Sequence, residues 1–139
     1  MSAAPYVVAV GDANANTNFK GAVWAFDVVK YAWPGLELWI VGDGPLMPDV
    51  RAFADSLGRD DPRVRFLGWV PKLDDVLREA TACVLTYRTG GVALVQRAVP
   101  LGVPVIAMHN AELASLAGVH LVPINDHVAM ASAILAHKS

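Results

Sequence analysis

This sequence predicts a three-layer α/β fold: a doubly wound parallel sheet of five or six strands with helices on both faces. Three observations carry that prediction. Short apolar, β-branched runs alternate with helix-length stretches along all 139 residues, with no internal repeat and no low-complexity segment. Those runs are apolar at nearly every position, as strands buried on both faces must be. Hydrophobic residues make up 55% of the chain and mean hydropathy is +0.41, an excess that doubly covered strands or a partner-binding face would absorb.

The elements follow in order. Tyr6-Val7-Val8-Ala9-Val10 is a buried first strand, ended by Gly11-Asp12. Residues 12–18 are turn formers, a loop at that strand's carboxyl end. A helix over residues 21–32 stops before Pro34-Gly35 and is apolar on nearly every face, so it is either deeply buried or covered by a partner. Residues 36–41 are the second strand and Gly42-Asp43-Gly44-Pro45 the turn after it. A helix follows over 48–57, closed by Gly58, then the Asp60-Asp61-Pro62 loop and a third strand over 64–67. Gly68-Trp69-Val70-Pro71 leads to a short helix over 74–80, and Cys83-Val84-Leu85 is the fourth strand. Gly90-Gly91 opens a further helix and Gly102 closes it, before a buried strand over 103–107. Residues 118–122 form the last strand, and Asn125-Asp126 caps a helix running to about His137.

One domain spanning residues 1–139 accounts for the length. Net charge is −2 and there is no Lys/Arg run, which argues against nucleic acid as a partner. No stretch approaches the roughly 18–20 uninterrupted apolar residues of a membrane span. A lone cysteine, Cys83, and the lack of a basic start followed by an apolar region predict a cytoplasmic protein. His109, His120, His127 and His137 have no ligand-like spacing, so no metal site is expected. Asp60-Asp61 and Asp74-Asp75 read as loop and helix-start residues rather than paired acids.

In a doubly wound sheet, ligands sit at the carboxyl ends of the strands. Here those ends are the loops 11–20, 42–45, 68–71 and 86–91. They bring forward Asp12, the Asn14/Asn16/Asn18 cluster, Lys20, Asp43, Trp69, Tyr87, Arg88, Thr89 and the Gly90-Gly91 pair. Lys20 at a helix start suits phosphate, and Trp69 serves either packing or ligand contact. Arg88 and Arg97 are either surface or salt-bridge residues or phosphate ligands. The Gly pair either opens a helix toward an anionic or hydroxyl-rich ligand or simply makes the turn of a plain αβ unit.

Five segments in order, over nearly the whole chain, resemble the carboxyl-terminal half of the retaining group 1 (family four) glycosyltransferases, whose halves are Rossmann-like in the GT-B arrangement. They are Val10-Gly11 with Lys20-Gly21; Leu38 to Pro45 with its Gly-Asp-Gly-Pro turn; Arg63 to Val70; Ala98 to Ala107; and Leu121-Val122-Pro123 with Asp126. The resemblance implies a domain that binds a nucleotide-sugar donor, with no other cofactor. It places the base by Trp69 and Val70, and the diphosphate between the first loop with Lys20 and the helix start at Thr89, Gly90 and Gly91. Gly42 and Gly44 belong to the matching turn. It also implies an amino-terminal half as partner, which these residues do not contain; a homodimer through the apolar helix 21–32 is the other association expected.

The departures concern the site. The family's two glutamates fall on Thr89 and Arg97, and its diphosphate-binding Arg falls on Asp12. A guanidinium has donors only and cannot accept from ribose hydroxyls, while a carboxylate at Asp12 repels a diphosphate. No catalytic residue is therefore assigned. The expected function is a donor-binding half that is inactive alone; the alternative is a non-catalytic α/β module that binds a nucleotide or a protein.

Overall fold

Strand β1 (Tyr6–Val10) is buried at every position because it lies inside a six-stranded, wholly parallel sheet. The structure, a computed structural model, describes residues 4–58 and 61–138. After β1 come α1 (Phe19–Val29), β2 (Glu37–Val41), α2 (Met47–Leu57), β3 (Val64–Gly68) and α3 (Leu73–Glu79). Then follow β4 (Ala82–Leu85), α4 (Val92–Ala98), β5 (Val105–Met108), β6 (Val119–Val122) and α5 (His127–Leu135). The spatial order is β3-β2-β1-β4-β5-β6. The three-layer, doubly wound parallel sheet expected from the sequence is present, with six strands.

Two helices are shorter than their apolar patterns. The helix expected to reach Ala32 ends at Val29, where the Ala32 and Trp33 amides both turn back to the Val29 carbonyl. The helix opened by the Gly pair ends at Ala98 and tightens into a 3₁₀ turn at Val99–Leu101. Pro100 has no N–H to continue an α-helical ladder, and its ring crowds the preceding turn. Asp126 caps α5 as expected, its Oδ1 accepting from the Ala129 amide at 2.8 Å. The Asp60 half of the Asp60-Asp61 pair lies outside the described residues.

Side chains alternate across the pleat, so each apolar run feeds two cores. Val7, Ala9, Leu38, Ile40, Val84 and Ile106 join the core under α1, α2 and α5. Val8, Val10, Val41, Cys83, Leu85 and Val105 join the core under α3 and α4. This is why the runs carry no period-two signal: both faces are covered. Helix α1 lies between α2 and α5 on the first of these cores, and its Phe19, Val23, Phe26 and Val29 are buried. Its own domain thus accounts for its all-round apolarity, leaving Trp24 half exposed. None of the helices among the described residues is long and apolar enough to cross a membrane.

Cys83 is fully buried on β4, and burial pushes its thiol up to about 12. The thiolate is the reactive form, so the native protein should resist a disulfide reagent at pH 8. Reaction should appear only at the unfolding rate or in denaturant. Stoichiometric labelling of folded protein within seconds would contradict this burial.

Candidate functional site

Strands β1 and β4 are neighbours, yet β1 continues into α1 on one face and β4 into α4 on the other. A crevice must open above their carboxyl ends, where the chain parts in two directions. The loops 11–18 and 86–91 meet there.

They are clasped together. The Asn16 side chain accepts the Thr89 amide (2.9 Å) and hydroxyl (2.7 Å) and donates to the Thr89 carbonyl (3.0 Å). The Arg88 amide donates to the Asn16 carbonyl (2.8 Å), and Arg88 Nε to the Ala15 carbonyl (3.0 Å). Below, the Tyr87 hydroxyl crosses to the Val10 carbonyl at 2.7 Å. It can do so because residue 11 is glycine: a Cβ there would collide with the Tyr87 hydroxyl. Burial, with Cys83 and Asp12 adding to it, raises that phenol to about 12, so it stays a neutral donor.

The clasp divides the crevice. On the α4 side is a cavity of about 370 Å³, lined by Asp12, Trp69, Leu73, Tyr87, Gly91 and Arg97 among others. Trp69 is 56% exposed over it, while Val70 packs into the core below. Arg97 is tied across the mouth to Asp74, Nε to Oδ1 at 2.5 Å. On the α1 side are two connected hollows of about 490 and 170 Å³ that share Asn18, Arg88 and Asn125. Lys20 opens onto the larger of them.

The residues singled out in the sequence therefore fall into three groups. Trp69, Gly91 and Arg97 share one cavity, with Val70 beneath it and Asp12 on its wall. Lys20 and Arg88 lie together on the other side of the clasp. Thr89 and Gly90 form the clasp itself: the Thr89 amide is held by Asn16, and the Gly90 amide by Glu112 Oε2 at 2.5 Å. Gly42 and Gly44 belong to a loop-on-loop contact. A Cβ on Gly42 would overlap the Gly11 carbonyl oxygen, and one on Gly44 would lie 2.7 Å from the Ala13 amide nitrogen. Asp43 turns its carboxylate back to the Gly44 amide at 2.8 Å.

Two residues of this region, Asn110 and Glu112, escaped the sequence reading, and a third, Asn16, was put forward without its role. Asn110 is buried and donates to the Tyr87 and Gly90 carbonyls (3.2 and 3.1 Å) while accepting the Leu113 amide (2.9 Å). It holds the 86–91 loop in shape. Glu112 and the clasping role of Asn16 complete the set; only Asn16, as one of three asparagines in a loop, left any trace in the sequence. Among the described residues no cluster of His, Cys, Asp and Glu could hold a metal ion.

The strand order and the crevice at its reversal define the doubly wound, Rossmann-like class of α/β protein. Over residues 4–137 the sequence matches the family model described as glycosyl transferases group 1, and the chain belongs to that family. No curated protein matches the sequence. Among solved structures, TarM of S. aureus, in complex with Fondaparinux, alpha-GlcNAc-glycerol and UDP, superposes with a TM-score of 0.86 at 14% identity. That match covers 96% of this chain and 28% of TarM, so the chain spans under a third of that protein. The catalytic domain of cholesterol-alpha-glucosyltransferase from Helicobacter pylori gives 0.78 at 20% identity, covering 96% of this chain and 86% of the other. The C-terminal domain of LpcC, a group 1 family protein of Francisella tularensis, gives 0.76 at 14%, covering 96% and 76%. At these identities the likeness is one of fold.

Proposed function

We propose that residues 1–139 are the donor-binding half of a retaining glycosyltransferase, taking the nucleoside of a nucleotide sugar and transferring no sugar alone. One observation carries this reading: the cavity of about 370 Å³ at the β1/β4 reversal, with half-exposed Trp69 on one wall and Arg97 on another. Fold likeness to TarM, solved with UDP, supports the same ligand class. Glycosyl transfer also needs the leaving diphosphate neutralised and an acceptor hydroxyl held against the reacting carbon. The residues around this cavity offer little for the first of these. Asp12 faces the cavity, Arg97 is paired with Asp74, and the Thr89 and Gly90 amides already have acceptors.

Each missing charge-assisted hydrogen bond costs on the order of 1.5 to 3 kcal/mol. Two of them weaken binding by roughly two to four decades, at 1.4 kcal/mol per decade. Calorimetry with UDP, GDP and their sugars should therefore show millimolar binding, abolished by Trp69→Ala. Micromolar affinity, or binding indifferent to Trp69, would overturn the assignment of the cavity. Turnover of a nucleotide sugar by the isolated chain would overturn the claim that it is inactive alone.

A further inference from the structure

At the end of α1 remote from the crevice, charged residues close a small cavity between α1, the end of α2 and the connection into β3. Asp27 lies in the last turn of α1 and Lys30 directly after the helix. Gly58 ends α2, and Asp61 belongs to the connection. The cavity measures about 10 Å³. That is the lower bound of the roughly 10–15 Å³ needed to seat one water molecule.

The charged groups around it lack hydrogen bonds. Lys30 is only 7% exposed and carries three N–H donors, yet among the described residues its ammonium makes no hydrogen bond of good geometry. Asp27 Oδ1 lies 2.8 Å away, close enough for an ion pair but too oblique to accept. It is a buried oxygen with no hydrogen-bond partner among the described residues. Asp61 Oδ2 is 3.6 Å from the ammonium, too far for a direct hydrogen bond. Polar groups at that separation are commonly bridged by water. Without a bridge, each bears its full desolvation penalty.

Gly58 supplies a second, independent observation. Its φ is −170°, extended backbone that any residue adopts, so the chain conformation does not call for glycine there. A Cβ on it would lie 3.2 Å from Lys30 Nζ and 3.8 Å from Asp61 Oδ2. The absent side chain keeps open the space between ammonium and carboxylate.

We propose that this cavity is the binding site of one internal water, which donates to Asp27 Oδ1 and Asp61 Oδ2 and accepts from Lys30 Nζ. Three hydrogen bonds are the usual complement of a buried water. A cation there would meet the ammonium, and an anion the two carboxylates. A neutral molecule with two donors and an acceptor answers all three groups, and water is the one that fits the volume. It ties α1 to the connection into β3 and completes the network of Asp27, Lys30, Asp61 and Arg63. Its way in is the open hollow beside β3, which shares Ala54, Gly58, Asp61 and Val64 with the cavity. The nucleoside site plays no part in this reading.

The test follows magnetisation transfer from water to the methyl groups of Val23 and Ala54, both on the cavity wall, in NOESY and ROESY spectra of the full chain. A water held longer than the protein takes to tumble gives cross-peaks of opposite sign in the two spectra. Val23 does not line the open hollow, so surface water does not account for its signal. The cross-peaks should appear in wild type and persist in Tyr31→Phe, which removes the hydroxyl of the ring lying over the ammonium. In Gly58→Ala the new methyl fills the space, and they should vanish while the rest of the spectrum is retained. A crystal structure of the wild type should show one density peak within hydrogen-bond distance of all three groups. Wild type without these cross-peaks would overturn the proposal, whether or not the variant folds. So would cross-peaks that survive Gly58→Ala, or that disappear in Tyr31→Phe and so arise from its hydroxyl. In the crystal, no peak at the site, or a peak with the short contacts and high coordination of a metal ion, would overturn it equally.

Discussion

Gly42→Ala should lower the unfolding free energy by about 4 kcal/mol or more, a loss at the far end of the range for single substitutions. The new methyl would occupy the place of the Gly11 carbonyl oxygen, and the residue sits at φ 134°, where an L side chain is strained. The atom it meets is backbone, and that backbone is pinned: the Gly11 amide donates to the Val41 carbonyl, and the Gly42 amide to the Gly68 carbonyl. No side chain can rotate away. Gly90→Ala is the control, since its φ is 74° but nothing lies within 4 Å of its Cβ. It should cost only ~1–2 kcal/mol, the price of the left-handed conformation. Urea denaturation of the two variants separates the cases. A difference below ~1 kcal/mol between them would show that the 11–13 and 42–44 loops are not in contact.

Lys30→Ala should cost about 3 kcal/mol, through a network far from the crevice. Lys30 Nζ lies 2.8 Å from Asp27 Oδ1 and 3.6 Å from Asp61 Oδ2, with only 7% of its side chain exposed. Removing it strands the partly buried Asp27 carboxylate, while Asp61 keeps its pair with Arg63, and the stranded charge costs more than the lost pair contributes. Asp27→Asn in the Lys30→Met background should therefore recover part of the loss, which a lost-packing account would not expect. The pH dependence has a defined sign. Burial lowers the Lys30 pKa, but Asp27 outweighs it and the net shift is upward from 10.5, so this contribution is lost only as pH rises through the folded value. The Arg63 hydrogen bond holds Asp61 below its ordinary 3.8 despite burial, so its contribution is full above that value and lost as pH falls through the folded one. Chemical denaturation between pH 3 and about 11 should show a plateau bounded on both sides by these two groups. In Lys30→Ala the alkaline decline due to Lys30 should vanish while the acid decline remains.

Much of the molecule was legible in the sequence because strands buried on both faces declare themselves. The runs 6–10, 36–41, 83–85 and 103–107 are apolar at nearly every position, and each holds a strand. The partly exposed strand β3 was readable through its flanking signals instead, Asp61-Pro62 before it and Gly68 at its end. Helix ends were less legible. Helix α1 ends at Val29, where the Ala32 and Trp33 amides turn back to the Val29 carbonyl, and α4 at Ala98, where Pro100 tightens the ladder; the apolar pattern runs on past both. Of the residues put forward for binding, Trp69, Gly91 and Arg97 do meet in one cavity, because α3 and α4 cover the same face of the sheet and bring the turns before them together.

The sequence by itself determined the fold class, the order of the elements, the caps and turns, and the family, since all of these are written in local periodicity and short motifs. Tertiary structure alone decided that Lys20 and Trp69 face different hollows, that the Thr89 and Gly90 amides are already taken, and that Lys30 is buried. The bonds responsible join residues far apart in the chain: Asn16 to Thr89 across 73 positions and Tyr87 to Val10 across 77. A backbone period of 2.0 or 3.6 constrains only near neighbours. Which polar atoms meet across such separations depends on how the sheet brings its strand ends together, and no local pattern encodes that meeting.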